Sequence, residues 1–174
     1  MKFDLQLFAE AVQGKNIVYL FRVLSDAATS AAVAMAFTTE NERSKSKDAD
    51  STATKDGAIR TPGAAEVEIS ATAVLAKGDT LAEKLEDAMD NDGLIEIWEA
   101  NLDEPVGTNS NKFKGRYYQG YLTEFTLTSS AEEHAEYECT FSINGSGAKG
   151  EVTVTTEQQE IANYAFKDTQ KTGA

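Results

Sequence analysis

One cysteine and one histidine in 174 residues close off most of the chemistry a chain of this size could hold. Cys139 alone cannot make an intrachain disulfide or a cysteine-rich metal site. Ser-His-Asp, Cys-His and multi-histidine zinc arrangements could be built only around His134. That residue lies among Glu132, Glu133 and Glu136 at an expected strand entry, which is a solvated setting. Positive charge is scarce as well: 16 basic residues against 29 acidic ones leave −13. Such a chain has no generic attraction to phosphate backbones or anionic membranes. This excludes an ordinary DNA binder and leaves a protein that works beside DNA without adhering to it. No stretch approaches the roughly 20 apolar residues of a membrane span. The start, MKFDLQLFAE, carries Asp4 inside what would have to be the apolar run of a signal peptide, so folding in a reducing cytoplasm is expected.

What is present reads mostly as strand. Residues 15–24 (KNIVYLFRVL) form a β-branched and aromatic run of strand length. Residues 31–39 (AAVAMAFTT) would put Val33, Met35 and Phe37 on one strand face, although the alanines suit a helix equally. In 66–76, Val67, Ile69, Ala71, Ala73 and Leu75 alternate with Glu66, Glu68, Ser70 and Thr72, the pattern of a strand buried on one face. Leu81, Leu85, Ala88 and Met89 then make a helical stripe. Thr80 and Glu83 have capping-box spacing, Asp79 is a second N-cap candidate, and Gly93 fits the stop. Strands are expected at 95–100, 115–128 and 135–144, the last alternating Tyr137, Cys139, Phe141 and Ile143 with Glu136, Glu138, Thr140 and Ser142. A glycine-rich turn should fold residues 151–155 back on it as a hairpin. A short C-terminal helix follows, with Thr156 and Gln159 as its capping box and Ile161, Tyr164 and Ala165 as its apolar stripe. The expected fold is mainly β (α+β): one domain over 1–174, a β-sandwich or barrel with one flanking helix, a long polar loop and a short C-terminal helix.

The loop is residues 40–63, ENERSKSKDADSTATKDGAIRTPG, nearly devoid of apolar side chains and ending in a Thr61-Pro62-Gly63 turn signal. Connections inside compact domains usually run about 4–6 residues. A segment this long is either a solvated floppy loop or an arm that orders against another subunit. In the second case Lys45, Lys47, Lys55, Asp56 and Arg60 are its candidate contact residues.

Several motifs imitate chemistry. Residues 145–150 (GSGAKG) match G-x-G-x-x-G, but a dinucleotide site needs that loop to open a helix, and here it opens a strand pattern. Asp90-Asn91-Asp92-Gly93 echoes a calcium loop, yet Ala88 stands at its first ligand position, so a helix C-terminus explains it better. Ser44-Lys45-Ser46-Lys47 has S-x-x-K spacing without the companion motifs. Cys139 alternates with core residues and reads as a small buried hydrophobe. No catalytic, cofactor-binding or metal-binding set is expected.

The stretch 45–79, KSKDADSTATKDGAIRTPGAAEVEISATAVLAKGD, resembles the major tail protein family of long-tailed, non-contractile phages of Gram-positive hosts. So do LAEKLEDAMDNDGLIEIWEANLDE, YYQGYLTEFTLTSSAEEHAEYECTFSINGSGAKG, FKDTQKTGA and the early block GKNIVYLFRVL, in the same order. The resemblance implies a virion protein assembled in the host cytoplasm. Its partners would be itself, in stacked hexameric rings, and tape-measure and tail-tip or terminator proteins. Genomic DNA would pass through the bore without specific binding. A lumen that conducts DNA should present acidic side chains, and Glu66 with Glu68, or Glu136 with Glu138, are the candidates; both pairs on the outer wall is the alternative. The competing function is a monomeric β-sandwich binding or adhesin module.

Overall fold

The computed structural model describes residues 10–108 and 111–163, the last three as backbone only. Among these residues the chain forms seven strands and two α-helices: β1 (Ile17–Val23), β2 (Thr38–Thr54), β3 (Gly57–Val74), α1 (Thr80–Asp90), β4 (Ile95–Pro105), β5 (Lys112–Thr128), β6 (Glu136–Ile143), β7 (Ala148–Thr153) and α2 (Thr156–Asn163). All strand pairs are antiparallel, in the order β1-β4-β5-β6-β3-β2, with β7 also on β5.

This sheet folds over on itself. β5 pairs with β4 and β7 through its first half and with β6 through its second. The crossing point lies near Gly120, where an added Cβ would collide with the Ser142 carbonyl, and the register slips between Leu122 and Glu124. One layer is thus β1, β4 and the start of β5; the other is the end of β5, β6, β3 and β2. Phe21 of β1 stacks on Phe141 of β6 at 5.3 Å although two strands separate them in the ladder. The main core fills the space between, with Val67, Ile69, Ala71 and Ala73 of β3, Tyr137 and Cys139 of β6, and Ile95 and Ile97 of β4. The expected sandwich is therefore formed by one doubled sheet.

Helix α1 closes the core with Leu81, Ala82, Leu85 and Ala88, while Met89 stays at the rim. Its cap is Asp79, whose carboxylate accepts from the amides of Leu81 and Ala82 at 3.0 and 3.2 Å. At the other end Gly93 donates to the Ala88 carbonyl at 2.7 Å and Asp92 to that of Met89. Asp92 adopts the left-handed conformation, φ 51°, so the glycine sits one residue beyond the residue that reverses the chain. The calcium-loop echo at 90–93 is this helix terminus.

Several expectations are corrected. Residues 31–39 form no strand before Thr38: their ladder pairing with β1 is the single Phe21–Val33 bridge, and Met35 is buried while Val33 and Phe37 are exposed. The end of β6 does not turn back into a hairpin. Asn144 donates to the Gln119 carbonyl, and β7 continues along the same edge of β5, so the glycines at 145 and 147, both at positive φ, kink a run without reversing it. The second capping box is Thr155 with Gln158, each side chain accepting from the other's amide, one residue before Thr156 and Gln159. Tyr164, Ala165 and the FKDTQKTGA block lie outside the described residues, as does the side chain of Ile161.

The largest correction is the polar loop. Residues 40–63 belong to β2, β3 and the turn between them, the two strands being paired from Thr38↔Ala73 to Thr54↔Gly57. The reversal is at Lys55-Asp56, followed by Gly57 at φ 131°. Thr61-Pro62-Gly63 is not a turn. Pro62 lies inside β3 beside the register slip between Lys47 and Ala49, an irregularity where a residue without an amide donor is accommodated.

Candidate assembly and channel surfaces

Because side chains alternate across a strand, the register fixes which residues share the outer face of the β2-β3-β6-β5 layer. With Val67, Ile69, Ala71 and Ala73 turned inward, Glu66, Glu68, Ser70 and Thr72 point outward. Opposite them stand Ser46, Ser44, Glu42 and Glu40 of β2. On the other side, Glu68 faces Ser142, Ser70 faces Thr140 and Thr72 faces Glu138 of β6, and these in turn face Tyr121, Glu124 and Thr126 of β5. Both candidate pairs, Glu66 with Glu68 and Glu136 with Glu138, lie on this one face. Glu40, Glu42 and Glu124 join them. None of the seven forms an ion pair with a described residue, and the face carries serine and threonine between its glutamates but neither lysine nor arginine. Glu40 and Glu42 were hidden in the sequence by the loop assignment, although their alternation with Asn41 and Arg43 is itself a strand signal.

The layer ends in open hydrogen-bonding edges. β2 is the last strand in the order, and residues 121–128 of β5 pair with β6 on one side and with no described strand on the other. Exposed ladders of this kind recruit another strand unless they are covered.

Beyond the Ser46↔Glu66 pair the β2–β3 ladder leaves the body, since β6 reaches only Val67. The arm extends about ten residues per strand, roughly 30 Å at the rise of a β-strand. Lys45 and Lys47 lie near its base, Lys55 and Asp56 at its tip, and Arg60 opposite Ser51 between them. All five are exposed and strung along the arm, not gathered at one point. No ion pair among the described residues uses Lys45, Lys47, Lys55 or Arg60. Two strands with no core are marginal alone.

At the arm's root Arg43 reaches across to the other layer. Its Nε donates to Glu99 of β4 at 2.6 Å, and the Tyr19 hydroxyl donates to the same carboxylate at 2.8 Å. Burial, reinforced by the Glu99 charge, pushes the Tyr19 phenol far above its ordinary value. Burial opposes the charge on Arg43, but its hydrogen bond to Glu99 and the Glu99 charge outweigh that and raise its pKa. On the opposite face of β4, Glu96 accepts from Arg22 at 2.7 Å and from the Tyr117 hydroxyl at 2.7 Å, with the Arg22 guanidinium 5.0 Å from the Trp98 ring. These polar ties brace the strands; among the described residues no three His, Cys, Asp or Glu side chains are grouped to hold a metal.

The family model for phage tail tube proteins matches residues 11–149, most of the chain. The chain belongs to the phage tail tube protein family. A protein named for the tail of Staphylococcus phage phiMR25 is 35% identical over 148 residues, covering 82% of this chain and 76% of that protein. A tail tube protein of Bacillus phage SPP1 is 23% identical over 154 residues, 88% of this chain and 56% of its own length. The fold of the SPP1 tail tube, solved by solid-state NMR and cryo-electron microscopy, superposes with a TM-score of 0.69 over 94% of this chain and 95% of that one, at 22% identity. The tail of a gene transfer agent particle, refined with C6 symmetry, gives 0.62 at 15% identity over 79% and 98%. The tail tube fold thus accounts for the doubled sheet, and membership in the family gives the chain a structural, tube-forming role in a phage tail.

Proposed function

We propose that copies of this chain join edge to edge through β2 and the end of β5 into a ring of six, and that rings stack into a tail tube whose bore is the glutamate face. The observation that carries this is the coincidence of three properties in one layer: an apolar inner face, an outer face with seven unpaired glutamates, and open edges on both sides. Side-by-side pairing covers both edges at once and points every copy's glutamates the same way. DNA moving through such a bore meets carboxylates and releases no counterions to protein cations, so it slides without adhering. The work is mechanical and needs no catalysis. Tape-measure protein fills the bore during assembly in the host cytoplasm, and tip and terminator proteins occupy the tube ends.

The arm bridges successive rings in this reading, with Lys45, Lys47, Lys55, Asp56 and Arg60 among its contacts. Replacing 47–65 by a two-residue Asn-Gly turn removes both arm strands and keeps the Ser46↔Glu66 pair. The shortened chain should unfold at the same urea concentration as the parent and form no tubes. Tubes of normal length from it would overturn the role of the arm.

A further inference from the structure

Between β6 and β7 the chain runs Asn144-Gly145-Ser146-Gly147, and every residue of this bend is exposed. Asn144 is the one asparagine of the sequence that a glycine follows. Its main-chain amide is anchored on the Gln119 carbonyl at 2.7 Å. Its side chain makes no hydrogen bond to a described residue, and neither does the amide of Gly145. Gly145 stands at φ 70° and Gly147 at φ 72°, a region that side chains disfavour, and a β-carbon built on Gly145 would meet nothing within 4 Å. Other asparagines are tied down. Asn16, Asn91 and Asn101 donate through their side-chain amides to Asp103, the Asp87 carbonyl and Glu104 at 2.7, 2.7 and 3.2 Å, and Asn111 accepts from Gln159. Asn41 is half-buried within β2. Each of these precedes a residue with a side chain.

We infer that Asn144 is a site of spontaneous deamidation in the folded chain, with the backbone nitrogen of Gly145 as the nucleophile. That nitrogen, having lost its proton to hydroxide, attacks the Cγ carbonyl of Asn144. The new C–N bond closes a five-membered succinimide, and the side-chain nitrogen takes a proton from water and leaves as ammonia. Water then opens the ring by breaking one of its two C–N bonds. Breaking the bond at Cγ leaves aspartate. Breaking the bond at the main-chain carbonyl leaves isoaspartate, whose main chain runs through Cβ and Cγ and is one carbon longer. The bend favours closure in three ways. Without a β-carbon, residue 145 lets its nitrogen come within bonding distance of Cγ. No hydrogen bond holds back the amide proton or the carboxamide. Two glycines in an exposed segment let the main chain rotate into the closing geometry at low cost. Each event adds one negative charge two residues beyond Ser142 of the glutamate face, at the end of the body marked by the Val67↔Ile143 pair. Isoaspartate also lengthens the link between β6 and β7, both of which pair with β5. The chemistry needs only the folded chain and water, not the tube.

Incubating the unassembled protein at mildly alkaline pH in heavy-oxygen water, then digesting it in ordinary water and mapping the peptides by mass spectrometry, reads the reaction directly. Asn144 should take up the heavy isotope several-fold faster than any other asparagine, at a rate that rises with pH, and both aspartate and isoaspartate should form. Asn144→Gln leaves the backbone of the bend unchanged but would have to close a six-membered ring, so uptake at this position should fall many-fold. A synthetic peptide spanning 140–150 supplies the rate of the unfolded sequence. Conversion in the peptide with none in the folded chain would overturn the assignment, because the fold would then protect the site. Aspartate without isoaspartate, or undiminished uptake in Asn144→Gln, would overturn it too, since neither passes through the succinimide.

Discussion

Leu85 is the residue through which helix α1 is most directly tied to the sheet, and truncating it gives a measurable free energy. The side chain is fully buried, in the same cluster as Ile97, Tyr118 and Phe141. Leu85→Ala removes three carbon groups from that cluster, about 2.4 kcal/mol at about 0.8 kcal/mol each. The cavity adds to this wherever the surroundings do not relax, and two β layers with a helix across them have little freedom to collapse, so the expected loss is about 3–4 kcal/mol. With a urea slope of about 1–3 kcal/mol per molar, the unfolding midpoint of the unassembled protein should fall by at least about 1 M at unchanged slope. Met89→Ala is the internal control: it belongs to the same helical stripe but is 37% exposed, and it should cost about 1 kcal/mol or less. A Leu85→Ala loss below about 1 kcal/mol, or a Met89→Ala loss equal to it, would mean that the helix is packed through a different face.

Charge and ionisation give two further tests. Reversing Glu66 with Glu68, or Glu136 with Glu138, to lysine should permit tubes but slow DNA ejection from assembled particles, more strongly at low salt; ejection at the parental rate from both would remove these residues from the bore. Burial, with the charges of Glu99 and Asp79, holds the Tyr19 and Tyr137 phenols protonated in the folded chain well above the ordinary value of 10.0. The unfolded chain then loses those protons first, so stability is intact below about pH 10 and falls as pH rises beyond it. Urea midpoints between pH 8 and 11.5 measure this, and a flat profile above pH 10 would contradict the burial of these hydroxyls.

Much of the architecture was legible wherever one face of an element is buried. Val67, Ile69, Ala71 and Ala73 alternate strictly, as do Tyr137, Cys139 and Phe141, and the Leu81–Leu85–Ala88 stripe marks the helix, because burial against the core imposes the period. The arm was illegible for the converse reason. With neither face buried against its own chain, β2 carries no apolar alternation beyond Arg43, and only the Asp56-Gly57 turn signal betrayed a hairpin. The β6–β7 relationship failed because a glycine kink and a glycine reversal look alike in sequence, and pairing of β7 with β5 runs from Tyr117↔Ala148 to Lys112↔Thr153, far beyond a local turn. Glu66, Glu68, Glu136 and Glu138 could be assigned to polar faces from alternation alone. That both pairs share one face, with Glu40, Glu42 and Glu124, required the register.

The measurement that bears most directly on the central claim is a helical reconstruction by cryo-electron microscopy of the purified chain after assembly. It should resolve tubes of uniform width in which β2 of one copy pairs with residues 121–128 of its neighbour and Glu66, Glu68, Glu136 and Glu138 line the bore. A chain that stays monomeric under assembly conditions, or tubes with that glutamate face on the outside, would contradict the account.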